Sequence, residues 1–346
     1  MVLCFNLIEH GYLNVPIILI KLFMDTKTMK VFVTRQIPES GLEMLAKHFD
    51  LKVRRESTAI PREELMNEIK DCYGILTILS DKMDGEIMDL APNLKIISNF
   101  AVGYDNIKVD EATKHGIKVG NTPNVLTQST AEHAMALLMA IAKRVAEGDN
   151  IMRQDAFPGW GPMYMLGTEL YKKTVGVIGY GRIGKRFAEM MHKAFDCKII
   201  YTDRSDTKEP DELGSEKVSM DELLAKADII SLHVPLCAET THLIGEKELN
   251  KMKKTALLIN TARGPVVDEA ALLKALQENT IMGAAMDVFE KEPRILAGLE
   301  KCWNVVMTPH TASATMEARS QMSEVSAQNI IGTLVEGEQP VSIVNK

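Results

Sequence analysis

The sequence predicts an α/β chain built from doubly wound parallel sheets, and three observations carry that prediction. Short apolar runs alternate with amphipathic helical patterns along the chain. A glycine-rich turn joins one such run directly to a helix pattern. With 346 residues, the chain is longer than one hydrophobic core ordinarily supports, so two cores are expected.

Taken in order, the chain opens on residues 1–28, which include the run Val15-Pro16-Ile17-Ile18-Leu19-Ile20, broken at Lys21. A membrane span needs about 20 apolar residues, and this run is too short. It also lacks the early positive charges and small-residue cleavage site of a secretory leader. A clear strand, Lys30–Thr34, follows Met29 directly, so Met29 reads as the functional start and residues 1–28 as a dispensable extension. Further strands are expected at Leu51–Val53, Ile75–Leu79 and Lys95–Ser98. Amphipathic stretches at Glu39–His48 and Pro61–Lys70 lie between them, the second opened by a proline suited to a helix start. Together they make one small α/β domain. A longer strand series is expected at Gly116–Val119, Thr174–Ile178, Lys198–Thr202, Asp228–His233, Thr255–Asn260, Met282–Met286 and Asn304–Met307, enough for a complete dinucleotide domain. Between the groups, Thr130–Ala146 is rich in Ala, Leu and Met with almost no polar face, which marks a helix buried in a core or against a second subunit. Met316–Glu336 reads as an amphipathic helix, followed by the short segment Pro340–Val344.

The clearest chemical motif is Gly179-Tyr180-Gly181-Arg182-Ile183-Gly184. A lone GxGxxG is weak, but here a strand runs in, a helix pattern runs out, and Asp203 ends the next strand. Gly179 permits the tight turn, Gly181 lets a pyrophosphate approach backbone N–H groups, and Gly184 lets helix and strand pack closely; the helix N-terminus at Arg182 and Ile183 favours the anion. Asp203 is placed to accept hydrogen bonds from an adenosine ribose and to repel a 2′-phosphate. NAD(H) is therefore favoured, with NADP(H) the alternative because Arg204 next door could accommodate a phosphate.

Ligands of open α/β sheets gather at the carboxyl ends of strands, and three polar residues follow late strands there: Arg263, Glu292 and His310. Reducing a small 2-keto acid calls for these residue types. A forked, permanently charged Arg suits the substrate carboxylate and carbonyl. A His titrates in the range needed to protonate the carbonyl oxygen as hydride reaches carbon, and a carboxylate beside it raises its pKa and fixes its orientation. By themselves, an Arg after a strand and a Glu before Pro are ordinary surface features. The other histidines, His10, His48, His115, His133, His192, His233 and His242, read as surface or packing residues.

Bulk properties exclude other classes. The net charge of -7 argues against a general nucleic-acid binder. The five cysteines are scattered, with no CxxC pair or metal-ligand spacing, so neither a disulfide framework nor a metal site is expected, and a reducing, cytoplasmic setting fits. The 21 methionines read as core filler.

These residues resemble the D-2-hydroxyacid dehydrogenases, and within them the glyoxylate and hydroxypyruvate reductases. The similarity runs from Lys30 to about Asn345 and rests on several segments: Val31-Phe32-Val33-Thr34-Arg35, Phe100-Ala101-Val102-Gly103-Tyr104-Asp105, Asn121-Thr122-Pro123, the glycine turn, Asn260-Thr261-Ala262-Arg263-Gly264, Asp287-Val288-Phe289-Glu290-Lys291-Glu292-Pro293, and Pro309-His310-Thr311-Ala312-Ser313-Ala314-Thr315. The resemblance implies two Rossmann-like domains, with an NAD(P)-binding domain (105–312) inserted into a flavodoxin-like substrate domain (29–104 and 313–346) and the active site in the cleft. It implies Arg263 as substrate anchor, His310 as proton donor and Glu292 as its partner. Backbone amides of Val102 and Gly103 would hold the substrate carboxylate. Asp287 would contact the nicotinamide carboxamide, and Pro235, Thr261 and Ala312 would line the cofactor. A homodimer is implied, with the loop Phe157–Pro162 reaching a neighbouring subunit. Many reductases of this group that use NADP lack an acid at the position of Asp203, which sets this chain apart from them.

Two competing readings remain at this level. A short-form D-3-phosphoglycerate dehydrogenase would want extra basic residues at the cleft mouth. An NAD(H)-sensing, dehydrogenase-like corepressor would not need the Arg/Glu/His set that this chain retains. Formate dehydrogenases share the implied fold, but their pattern lacks a Glu like Glu292.

Overall fold

The computed structural model describes residues 26–204 and 212–345. The extension expected at residues 1–28 therefore lies outside the described residues as far as residue 25. Thr26–Thr28 form one 3-10 turn leading into the first strand. The chain divides into two compact units, residues 1–121 with 323–346, and residues 122–322.

The first unit is a five-stranded, all-parallel sheet of order β2-β1-β3-β4-β5. Its strands are β1 (Lys30–Val33), β2 (Asp50–Val53), β3 (Cys72–Thr77), β4 (Ile96–Asn99) and β5 (Lys118–Gly120). Parallel strands covered on both faces read as continuous apolar runs, and β4 is buried at all four positions. Phe32, Ile75 and Ile97 pack with Leu65, Ile69, Ile87 and Ile117 from the covering helices and loops. The order 2-1-3-4-5 is flavodoxin-like, and the chain reverses direction across the sheet between β1 and β3. The sequence placed the strand near Gly116–Val119 in the second series. Instead, β5 pairs with β4 of the first sheet. A short apolar run carries no address for its sheet, because residue type marks a strand but not its partner; here the partner is the preceding strand of the chain. The segment after Pro340 closes this edge, where Val344 N–H donates to Val119 O at 2.8 Å.

The second unit is a seven-stranded parallel sheet of order β12-β11-β10-β9-β6-β7-β8. Its strands are β6 (Thr174–Ile178), β7 (Lys198–Thr202), β8 (Glu216–Lys217), β9 (Ile229–Leu232), β10 (Leu257–Asn260), β11 (Gly283–Met286) and β12 (Val305–Met307). The strand order reverses between β6 and β9, so the crevice beyond their carboxyl ends is the place for a ligand. β8, a two-residue edge strand, is too short to register as a hydrophobic pattern. The single helix expected over Thr130–Ala146 is two, Thr127–Ala142 and Val145–Arg153. They are separated at Arg144, which adopts a left-handed φ of 56°. Its guanidinium pairs with both oxygens of Glu147 and lies over the Trp303 ring, 4.9 Å from its centroid. Among the described residues, no helix is long and apolar enough to cross a membrane.

Candidate active site

The glycine turn sits where the strand order reverses. Gly179 leaves β6 at φ 92°, and a Cβ there would fall 2.8 Å from the His233 carbonyl, in the segment that follows β9. A Cβ at Gly184 would strike Gly179 O at 2.2 Å, so that glycine is what lets the helix Arg182–Phe195 start against its strand. Gly181 differs: a Cβ there would meet nothing within 4 Å. The turn is thus packed shut at two glycines and open at the third. Gly181 is the cap of a 14-residue helix whose first-turn amides begin at Arg182 and Ile183. Asp203 directly follows β7, and its Oδ2 accepts the Tyr180 N–H at 2.7 Å, which sets an acid beside the turn. Arg204 is exposed next to it. Pro235 is exposed after β9. Among the described residues, Thr261, after β10, has a buried hydroxyl with no hydrogen-bond partner. An open glycine, helix-start amides that lack an intrahelical acceptor and this hydroxyl, at neighbouring strand ends, fit a dinucleotide.

The loops after β10, β11 and β12 are stitched together. In the first, fully buried Asn260 accepts the Ala262 N–H at 3.0 Å and donates to Arg263 O at 2.9 Å, fixing the turn that presents Arg263. Gly264 has no room for a Cβ, which would lie 1.9 Å from the Phe289 carbonyl carbon. The Arg263 turn therefore rests on the backbone that leads to Glu292. That backbone is held in turn by a reciprocal pair: Glu290 N–H donates to Glu269 at 2.7 Å, and Glu269 N–H donates to Glu290 at 3.0 Å.

Glu292 and His310 meet directly, with Glu292 Oε2 2.8 Å from His310 Nδ1. Burial alone would push the Glu292 carboxyl up. The His310 hydrogen bond and charge, the Phe289 N–H and the nearby Arg263 charge outweigh it and hold the group below its usual range. An ionised carboxylate only accepts, so His310 carries a hydrogen on Nδ1, and Nε2 is the atom left to hold or release a proton. The structure thus brings Arg263, Glu292 and His310 into one cluster. His233, at the end of β9, cannot serve as a proton donor near neutral pH, because desolvation pushes its pKa down to about 3.

Asp287, which the resemblance sets at the nicotinamide carboxamide, is fully buried between these loops. Its Oδ1 accepts from Thr308 Oγ1 at 2.6 Å and Thr311 N–H at 2.8 Å, and its Oδ2 accepts Ala312 N–H at 2.8 Å. Burial would raise its pKa, but bonds from His133, Thr308, Thr311 and Ala312 lower it on balance. Since the folded-state pKa lies below the unfolded one, Asp287 stabilises the fold above the ordinary carboxylate range, and that contribution is lost as pH falls through the lowered value. Asp287→Asn is therefore expected to melt below the wild type near neutrality, with the gap narrowing as pH falls below the ordinary carboxylate range. Thermal melts across a pH series check this; a gap independent of pH would contradict it.

In the first unit, Val102 O accepts from Asn121 Nδ2 and Gly103 O accepts from Asn99 Nδ2, each at 2.8 Å. With their carbonyls tied back, the Val102 and Gly103 amides make no hydrogen bond among the described residues. Asn121 lies in one of the segments that carry the resemblance, but nothing in the sequence pattern gives either asparagine this bracing role. Among the described residues, no three metal-ligating side chains converge.

Residues 135–312 match the family described as D-isomer specific 2-hydroxyacid dehydrogenase, NAD binding domain. A glyoxylate reductase of Thermococcus litoralis is 48% identical over 322 residues, covering 92% of this chain and 97% of that protein. The crystal structure of a glyoxylate reductase from Paecilomyes thermophila has a TM-score of 0.82 and 32% identity, covering 92% of this chain and 98% of that one. An NADPH-dependent glyoxylate/hydroxypyruvate reductase from Sinorhizobium meliloti, solved with NADP and malonate, has a TM-score of 0.80 and 32% identity, covering 91% of this chain and 96% of that one. With this similarity spanning nearly its whole length, the chain belongs to the D-isomer specific 2-hydroxyacid dehydrogenases, NAD(P)-dependent oxidoreductases of small 2-keto and 2-hydroxy acids.

Proposed function

We propose that this enzyme reduces glyoxylate or hydroxypyruvate with NADH, using Arg263 as substrate anchor and the His310–Glu292 pair as proton source. The single observation that supports this most is the 2.8 Å contact between His310 and Glu292 beside the Arg263 turn. Bound NADH supplies the hydride. The Arg263 guanidinium takes the substrate carboxylate and carbonyl; in the first unit, the Val102 and Gly103 amides, unbonded among the described residues, are left as carboxylate donors. His310 Nε2 gives its proton to the carbonyl oxygen, which becomes the hydroxyl. Glu292 holds the ring by Nδ1 and stabilises the imidazolium that precedes transfer. In the oxidation direction the same nitrogen takes the proton back. Purified protein assayed with NADH or NADPH against glyoxylate, hydroxypyruvate, pyruvate and phosphohydroxypyruvate tests the reading. Turnover confined to phosphohydroxypyruvate, or absent throughout, would refute it.

The cofactor is held on this reading by Gly179, Gly181, Arg182, Ile183 and Gly184 at the pyrophosphate, with Asp203 at the ribose and Pro235, Thr261 and Ala312 along the rest. NADH is preferred over NADPH because the Asp203 carboxylate repels a 2′-phosphate. Asp203→Ala is accordingly expected to shift the kcat/KM ratio toward NADPH, and an unchanged ratio would remove the acid from this role.

The first unit serves as substrate domain and the second as cofactor domain, with residues 1–28 dispensable. A homodimer is the assembly proposed, because the second unit leaves Phe157, Trp160, Met163, Leu166 and Trp303 exposed. Leu166, Met282 and Trp303 also line a cavity of about 350 Å³ at the amino ends of β10 and β12, the opposite ends from the catalytic loops. Light scattering that returned a monomer mass would reject the dimer. The unpaired thiols of Cys72, Cys197, Cys237 and Cys302 support a cytoplasmic setting, which cell fractionation checks.

A further inference from the structure

The second unit holds a histidine that the chemistry above does not use. His133 lies within the helix Thr127–Ala142, on a turn whose neighbours Ala134, Leu137 and Leu138 are buried. An apolar ring would fill such a place, yet the imidazole aims a polar atom at the buried carboxylate of Asp287. Its Nε2 is 3.0 Å from Thr308 Oγ1 and 3.3 Å from Asp287 Oδ1. A proton inventory orders these groups. Thr308 has one hydroxyl proton, which it gives to Asp287 Oδ1 at 2.6 Å. Toward His133 the threonine oxygen can then only accept, so His133 carries its hydrogen on Nε2. Donation runs from His133 through Thr308 to Asp287.

Asp287 is the anchor of the turn that carries His310. Its carboxylate accepts the Thr311 and Ala312 amides at 2.8 Å each, and its backbone oxygen accepts the His310 N–H at 2.8 Å. His310 sits between these anchors at φ 53°, a conformation that a non-glycine residue keeps only when its surroundings impose it. A buried carboxylate that loses a donor turns to find another, and the turn it holds moves with it.

We propose that His133 is a positioning residue for the reaction: by donating to Thr308 and Asp287 it fixes the 308–312 turn and the direction in which the His310 imidazole faces. This rests on His310 being the proton donor. His133 does not touch substrate or cofactor on this reading; it acts through two intermediaries, and its main effect is on the alignment of Nε2 of His310.

Two variants test it. His133→Phe keeps the ring volume and removes the donor, whereas His133→Gln keeps a side-chain N–H at similar reach. Steady-state kinetics with glyoxylate and fluorescence titration of NADH are the readouts. In His133→Phe, kcat is expected to fall about tenfold to a hundredfold, the loss a displacement of about 1 Å produces. KM stays close to wild type because Arg263 is untouched, and NADH affinity falls far less than kcat because the glycine turn keeps the pyrophosphate although Ala312 belongs to the affected turn. His133→Gln restores most of the kcat. In a His310→Gln background, adding His133→Phe costs nothing further, since the group being aimed is gone. With the kcat of His310→Gln lowered but measurable, an unchanged kcat in His133→Phe, an unrescued Gln variant, a parallel loss of NADH affinity or full additivity would each overturn this inference alone. Full turnover in His310→Gln by itself would instead overturn the proton-donor reading, and this inference with it.

Discussion

His310→Gln is expected to lower kcat by about 10²–10⁴, the range that a positioned general acid contributes. The amide can keep a hydrogen bond to Glu292 Oε2, so the loop after β12 has reason to stay in place. What the amide cannot do is release a proton to the carbonyl oxygen as the hydride arrives. The loss should therefore appear in kcat, with NADH binding left largely intact because the glycine turn belongs to a different loop. Steady-state assay combined with cofactor titration separates the two quantities. Turnover within a small factor of wild type would remove His310 from the chemistry.

Arg263→Ala is expected to damage both substrate binding and turnover. A hydrogen bond to a charged group contributes about 1.5–3 kcal/mol, so losing a two-pronged grip costs about 3–6 kcal/mol, or roughly 10²–10⁴ in kcat/KM. The guanidinium would act on the ground state through the carboxylate and on the transition state through the oxygen that gains charge, so KM rises while kcat falls. Its charge also helps keep Glu292 ionised, and removing it weakens that hold on the carboxylate that orients His310. Arg263→Lys is expected to recover little, because a point charge does not reproduce a planar fork. A normal KM in Arg263→Ala would be incompatible with the anchor role.

Much of the candidate site is legible in the sequence. The glycine turn, Asp203 and the strand-end residues Arg263, Glu292 and His310 are local features: each is a residue type at a fixed offset from a strand or turn, and periodicity places strands well. The boundaries were less secure. The helix expected to run through Ala146 stops at Ala142, because Arg144 turns left-handed to grip Glu147 and cover Trp303. β5 went to the wrong series because its partner, β4, is recognised only by pairing.

His133 shows the deeper limit. In the sequence it is one polar residue in an apolar helix, indistinguishable from a packing histidine. Its meaning depends on Thr308 and Asp287, more than 150 residues away in the chain. Asp287 illustrates the same point, since the bonds it accepts from Thr308, Thr311 and Ala312 exist only once the loop after β12 packs against it.

What the amino-acid order alone determined is the set of chemical parts and the layered α/β plan, because strand periods, turn glycines and residue types at strand ends are properties of short stretches. What the tertiary structure decided is which parts act on each other: the pairing of Glu292 with His310, the resting of Arg263 on Phe289 through Gly264, and the line from His133 to Asp287. These are contacts between distant segments, and hydrogen bonds a few ångströms long exist only once packing has brought the segments together.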